Sequence, residues 1–426
     1  MKILVIAYTL SPTEGSEASV AWNYITTMSK FHELTVLYGT SDDTMGDTTT
    51  LTKWLSKNRL ENVKFINIKP DKLTTMLNFC NAHGFLRYSF YLAYRRWQKL
   101  TYLKVNKLLE HDQYDLIHFL GPIGYREPGF LWRIQLPYLW GPVGGTINYS
   151  LSLLEYRTIS VYAKFIFRSI ANYLQLTFST RIRKAIKRCD VLLSATTFDQ
   201  KTFLNRFRVK SIYLPENGIM SDISINEDKF KDVDTYRFII IGRLDARKNI
   251  GLLIDAMSKL KNKNWHLDIL GDGPLTMHLK NKANILQISE HISFHGKVRR
   301  SEVFELLEVS HMNCITSVGE SNTTVIFEAM SRSVPTITFD HCGMHDTVTP
   351  DCGIILPIES YHKSVRALAV SIDSLLSNPE RFKTLAIGTN QRAEMYLWKN
   401  RIPIFNECYN NALVHFNTSQ NNHEVQ

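Results

Sequence analysis

The chain has 426 residues, 44% hydrophobic and 21% charged, which is long for one hydrophobic core and comfortable for two. With no low-complexity tract and no internal repeat, this balance excludes a disordered or fibrous protein. The net charge of +10 is uneven: residues 1–215 carry 28 Lys/Arg against 15 Asp/Glu, and residues 216–426 carry 22 against 25. Six cysteines (Cys80, Cys189, Cys314, Cys342, Cys352, Cys408) stand without a C-x-x-C pair or a His/Cys cluster. Reduced thiols are expected and a structural zinc is not.

The opening Lys2-Ile3-Leu4-Val5-Ile6-Ala7-Tyr8 is too short for a signal-peptide core plus cleavage site. It reads as a first buried strand and a cytoplasmic protein. A polar loop, Thr13-Glu14-Gly15-Ser16-Glu17, then leads into a helical pattern from Val20 to Lys30, the strand, glycine loop and helix order that suits a phosphate or substrate site. Strands at 34–38, 63–68, 114–120, 137–140, 190–196 and 212–214 alternate with helical stretches, which predicts a parallel doubly wound α/β sheet. His118 lies near the carboxyl end of one of these strands, where such sheets bind ligands. As a lone histidine it reads equally as a structural residue.

Two stretches of the first half are basic and aromatic. Residues 85–107 hold six basic side chains and no acid, and residues 156–189 hold eight and no acid, among them Arg181, Arg183, Lys184, Lys187 and Arg188. They read either as solvated helix faces or as a surface for an anionic membrane, where aromatics settle at headgroup depth and cations meet phosphates. No nucleic-acid motif accompanies the charge. Val161, Phe165, Ile166, Ile170, Tyr173 and Leu174 share a helical face, but Lys164 and Arg168 interrupt it, so no membrane span is predicted. A polar stretch at 216–235 reads as the linker between a domain of residues 1–215 and one of residues 216–394.

The second domain restarts with Phe238-Ile239-Ile240-Ile241, the turn Gly242-Arg243-Leu244, and Lys248 opening a helix. Arg243 and Lys248 at a helix start oppose its dipole unless an anion is present. A planar fork and a point charge together suit a diphosphate. Strands at 265–270, 292–295 and 313–316 follow, the first two ending in turns at Gly271 and Gly296-Lys297. The third runs into Ser317-Val318-Gly319-Glu320-Ser321-Asn322-Thr323-Thr324 and then an apolar helical run containing Glu328. Ser321 or Asn322 can cap that helix, whose free first-turn N–H groups attract phosphate oxygens, and Glu328 can then accept ribose hydroxyls. The alternative is a solvated loop acid and an amphipathic helix. His341 and Cys342 alone make no zinc shell. Residues 380–411 read as terminal helices, with a polar, disordered tail from Asn417.

The run Gly242-Arg243-Leu244-Asp245-Ala246-Arg247-Lys248 resembles the G-R-L-x-x-x-K signature of glycosyltransferase family 4, and Glu320 with Glu328 matches that family's E-x7-E motif. The resemblance implies the GT-B architecture, two Rossmann-like domains facing a central cleft, with a last helix at about 395–416 crossing back onto the first. It implies retaining transfer of a sugar from a UDP- or GDP-sugar, with no cofactor and no divalent metal; the chain shows no D-x-D in a suitable loop. The acceptor implied is a glycan or lipid-linked hydroxyl in bacterial cell-surface polysaccharide synthesis, at the inner face of the cytoplasmic membrane. Arg243 and Lys248 would hold the departing diphosphate, Glu328 the ribose, Glu320 the sugar, and His118 the sugar hydroxyls. Gly15, Ser16, Gly242, Gly271, Gly296, Lys297, Asn322, Thr323 and Thr324 would complete the donor site. The family's Gly-Phe-Gly is Ser321-Asn322-Thr323 here, and Ser333 replaces a glycine; both bear on the choice of sugar. Two rivals stand beside this reading, a sugar-nucleotide isomerase of the 2-epimerase type and a non-catalytic nucleotide-sugar binding protein.

Overall fold

The structure, a computed structural model, describes residues 1–424 apart from Glu14, Ser16, Tyr156 and Arg157, with backbone alone at Arg87 and over 422–424. It divides into two compact units. Unit 1 comprises Met1–Thr146, Tyr173–Glu216 and the chain from Trp398 onward; unit 2 comprises Ile147–Asn172 and Asn217–Leu397.

Unit 1 is built on seven parallel strands: β1 (Lys2–Ala7), β2 (Glu33–Tyr38), β3 (Val63–Asn67), β4 (Leu116–Gly121), β5 (Tyr138–Val143), β6 (Val191–Ser194) and β7 (Ile212–Tyr213). Their order is β3-β2-β1-β4-β5-β6-β7, so the strand sequence reverses between β1 and β4. Helices cover both faces, which is why strands such as Ile3–Ala7 are continuously apolar and buried rather than alternating. Unit 2 repeats the plan with β8 (Tyr236–Ile241), β9 (Trp265–Leu270), β10 (Ile292–Gly296), β11 (Met312–Ile315), β12 (Thr336–Phe339) and β13 (Gly353–Leu356), in the order β10-β9-β8-β11-β12-β13. Its reversal falls between β8 and β11, which pair at Met312 with Phe238 and Asn313 with Ile239.

Three sequence expectations are corrected. The segment Ile147–Asn172, assigned with 1–215 to the first domain, packs in unit 2, because Leu153, Leu154 and Phe165 are buried among Phe238, Leu252 and Trp265. The tail beyond Asn417 is the continuation of the helix Ile402–Glu424. That helix returns to unit 1, where Phe405, Cys408, Tyr409 and Ala412 pack on Tyr24, Ile25 and Met28 of helix Glu17–Met28.

His118 is the third. Its ring is fully buried in this layer, edge-on to Tyr24 at 4.9 Å and to Tyr409 at 5.9 Å. Its Nε2 is 2.9 Å from the Gly141 carbonyl, its Nδ1 is 3.2 Å from the Tyr409 hydroxyl, and that hydroxyl is 2.5 Å from the Tyr24 hydroxyl. A carbonyl only accepts, so Nε2 carries the proton; Tyr409 then donates to Nδ1 and Tyr24 donates to Tyr409. The chain of bonds holds the imidazole neutral, and burial lowers its pKa to about 4, against the smaller raising effect of the Gly141 bond. His118 is a core residue with both nitrogens engaged, not a sugar contact.

The depressed pKa carries a sign. Above pH 6.5 the ring is neutral folded and unfolded and contributes no slope; between pH 6.5 and about 4 only the unfolded chain takes the proton, so stability falls as pH falls. Chemical denaturation of wild type and His118→Gln across this window should show the variant losing less stability on acidification, by roughly 2–3 kcal/mol at its lower end. Parallel curves for the two proteins would mean that His118 is not held neutral.

Candidate functional site

In open parallel sheets ligands bind beyond the carboxyl ends of the strands at the point of reversal. In unit 2 that point lies at the ends of β8 and β11, and the two signature segments begin there. After β8 the backbone turns at Gly242 with φ of 149°, a region that L side chains rarely adopt. A Cβ there would lie 2.7 Å from Cε of Lys248, whose stem passes over the turn. Gly271, at the end of β9, approaches so closely that a Cβ would sit 1.9 Å from the Gly242 carbonyl oxygen. The turn therefore needs both glycines.

Asp245 then closes the turn: its Oδ1 accepts the backbone N–H groups of Arg247 and Lys248, each at 3.1 Å. Helix Ile250–Met257 follows. Both cationic side chains converge on one atom, Oε1 of Glu320, which is 2.5 Å from Arg247 Nη1 and 2.7 Å from Lys248 Nζ and also accepts from Ser317 Oγ at 3.1 Å. Burial pushes the Glu320 carboxyl up, but Lys248 and then Arg247 outweigh it and hold the pKa below its ordinary value. The closest approach of each cation and the Ser317 hydrogen bond all fall on Oε1. Arg243 is more than half exposed and reaches a carboxylate only at 3.9 Å, on Asp245.

The loop bearing Glu320 is held from three sides. Val318 N–H donates to the Arg247 carbonyl at 2.8 Å, and the Val318 carbonyl accepts from Ser150 N–H at 2.8 Å. His341 Nε2 lies 2.9 Å from the Ser317 carbonyl. The Tyr149 ring covers Gly319, where a Cβ would meet it at 2.2 Å. The predicted caps Ser321 and Asn322 lie two and one positions too early: helix Thr324–Ser331 is capped at Thr323, whose side chain makes no capping bond. Asn322 and Thr323 are buried, and the Asn322 carbonyl accepts from Asn217 Nδ2 at 2.8 Å. The first turn, beginning at Thr324, thus offers N–H groups that no cap side chain occupies.

Glu328, on that helix, is paired with Arg300 Nη2 at 3.1 Å. Burial raises its pKa and Arg300 only partly offsets this. The two glutamates of the motif are thus shifted in opposite directions. Arg247, Arg300 and Tyr149 were not singled out from the sequence; Arg247 lies inside the signature as one of its variable positions. Gly296, at the end of β10, has φ of 68° with open space around it, and Lys297 beside it is exposed.

Other predicted site residues belong to unit 1. Gly15 is exposed in unit 1 ahead of helix Glu17–Met28, and Ser16 lies outside the described residues. Of the predicted acceptor-side cations, Arg181 pairs with Glu127, Arg183 donates to the Thr177 carbonyl at 3.2 Å and Arg188 pairs with Asp190 at 3.1 Å. Only Lys184 and Lys187 of the five are exposed, because the other three tie helix Thr180–Arg188 to its neighbours.

Comparison with known proteins bears on the fold. The amylovoran biosynthesis glycosyltransferase of Erwinia amylovora is 23% identical over 227 residues, covering 52% of this chain and 63% of that protein. The chain spans about three fifths of the length of this and another curated glycosyltransferase it matches, at 63% and 59%. Sucrose-phosphate synthase from Thermosynechococcus elongatus superimposes with a TM-score of 0.66 at 16% identity, over 96% of this chain and 98% of that one. The Anabaena protein HepE in complex with UDP-glucose does so with a TM-score of 0.58 at 14% identity, over 96% and 99%. These likenesses establish the GT-B fold. Residues 222–392 match the family model for glycosyl transferases group 1, a stretch that contains the Gly242 turn, its cations and both glutamates.

Proposed function

We propose that the protein is a retaining, metal-independent glycosyltransferase that moves a sugar from a nucleoside diphosphate to a hydroxyl of a glycan or lipid-linked acceptor in cell-surface polysaccharide synthesis. The observation that carries this reading is the surplus of positive charge at the reversal of the second sheet. Arg247 and Lys248 share a single carboxylate oxygen, Arg243 stands exposed beside them in sequence, and the helix that follows Glu320 begins without a side-chain cap. Such a site accepts a dianion. The UDP-glucose held by the Anabaena neighbour and the polysaccharide named for the Erwinia relative support the donor and the pathway.

In this mechanism the bond between the anomeric carbon and the diphosphate oxygen breaks as the acceptor oxygen bonds to that carbon, and the acceptor proton leaves with the diphosphate. Arg243 and Lys248 stabilise the charge that develops on the leaving group, the role that a metal ion takes in other transferases. Glu320 orients the sugar, and Glu328, released by Arg300, accepts the ribose hydroxyls. His118 has no part.

Thermal melting with a panel of nucleoside diphosphates and their sugar conjugates tests the donor. The preferred donor, at a hundred times its Kd, should stabilise by about 2.7 kcal/mol, several degrees of Tm. Glu328→Ala should weaken it roughly ten- to a hundredfold. No response to any member of the panel, or an equal response in the variant, would remove the donor site. Turnover of the selected donor with an acceptor should give the same anomeric configuration and survive a chelator.

The cation cluster makes a second, separate expectation. Glu320→Gln leaves Arg247 and Lys248 half-buried without their carboxylate and should cost about 1–3 kcal/mol in denaturant melts. Pyrophosphate should restore more stability to this variant than to wild type. Equal stabilities, or no differential rescue, would mean that the cluster is not an anion seat.

A further inference from the structure

Unit 1 carries a surface that neither its core nor the site of unit 2 uses. Helices Lys72–Ala82 and Phe90–Leu109 pack together, joined by residues 83–89, with Arg96 reaching back to Asp71 at the head of the first at 2.6 Å. The first helix is inverted. Thr74 and Asn78 are buried, while Leu73, Met76 and Phe79, spaced three apart on one face, are exposed. The connection adds Phe85, 78% exposed, and Leu86, and the second helix adds Leu92. A chain folding only in water gains nothing from burying the polar face and presenting the apolar one, and contiguous apolar patches mark interaction sites.

Beside this patch, and sharing Leu92 with it, lies an open pocket of about 470 Å³ lined also by Arg95, Lys99, Tyr102, Phe130 and Arg133. Arg96, which lines it too, is neutralised by Asp71. Arg95, Lys99 and Arg133 have no carboxylate within ion-pair distance among the described residues. Arg133 lies over the Phe130 and Trp132 rings at 5.4 and 5.0 Å, which holds its guanidinium toward the pocket side of the helix pair. Arg95 feels the field of Glu127, which is itself paired with Arg181; three exposed cations outside any ion pair suit phosphate or carboxylate, which an apolar partner protein would not offer. A nucleic acid would match the cations but not Met76, Phe79 and Phe85.

We infer that this face is a docking surface for an anionic phospholipid bilayer, with the residues 73–92 tip entering the acyl boundary and the Arg95, Lys99 and Arg133 pocket seating a lipid phosphate. Among the described residues no helix is long and apolar enough to cross a membrane, so the attachment is peripheral and two-signal, apolar insertion plus charge. The inference is independent of the donor site.

The test is flotation of the full chain with vesicles of phosphatidylcholine, with and without phosphatidylglycerol. Binding should require the anionic lipid and weaken with salt. Reversing the pocket charges (Arg95→Glu, Lys99→Glu, Arg133→Glu) should lower binding on the order of a hundredfold. Phe79→Ser with Phe85→Ser, at exposed positions and with melting measured beside wild type, should lower it comparably. Lys184→Glu with Lys187→Glu, on the other basic helix, should bind like wild type. Equal binding to neutral vesicles, wild-type binding by the pocket variant, or dependence on Lys184 and Lys187 would overturn the assignment. So would protection of the pocket by inorganic phosphate or RNA without vesicle binding.

Discussion

The structure of the site depends on one carboxylate oxygen. Glu320 Oε1 receives an arginine, a lysine and a serine hydroxyl at once, and it does so where the carboxylate alone would be costly to bury. The two cations need the carboxylate equally, because both precede a helix N-terminus whose dipole repels them. Asp245 shares the task through the backbone, accepting the N–H groups of Arg247 and Lys248. The balance remains positive once Arg243 is included. Two carboxylates thus make the turn foldable without ligand, and the residual charge makes it attractive to an anion.

That arrangement is set in place by a segment from far earlier in the chain. Ser150 binds the backbone of Val318 and Tyr149 closes over Gly319, while Arg168 lies over the Tyr149 ring at 3.9 Å. Asn249 Nδ2 reaches the Leu153 carbonyl at 2.7 Å, and its Oδ1 accepts the Glu155 N–H at 2.9 Å. Glu155 and Asp255 then share Lys282, at 2.8 and 2.7 Å. The stretch 147–155 is therefore the outer wall of the β8 turn and the β11 loop, although it lies outside the residues matched to the family.

Much of this was legible in the sequence where the physics is local. Strand runs such as Phe238–Ile241, the glycine turns and the cation pair follow from patterning and turn chemistry. What was not legible is set by contacts distant in sequence. Ile147–Asn172 reads as a basic, aromatic helix of the first domain, and only the burial of Leu153, Leu154 and Phe165 assigns it to the second. His118 sits at a strand end, where a ligand contact and a core residue look alike; Tyr24 and Tyr409, 385 residues apart, decide between them. Helix Lys72–Ala82 defeats pattern reading for the opposite reason, because its apolar face points outward. Strand β13, Gly353–Leu356, was not read from the sequence.

Spacing alone could not divide the labour between the two motif glutamates, but their environments do. Titratable groups whose surroundings push them apart mark different roles. Glu320 is kept ionised by two cations of its own neighbourhood, so its carboxylate is a fixed part of the frame. Glu328 is buried with a raised pKa, and its one counter-ion, Arg300, is half-exposed on another helix. The half-exposed guanidinium can turn to solvent, and ligand hydroxyls would then have to satisfy the buried carboxylate in its place. On the proposed reading the first glutamate also frames the site, and the second exchanges its Arg300 contact for the ligand.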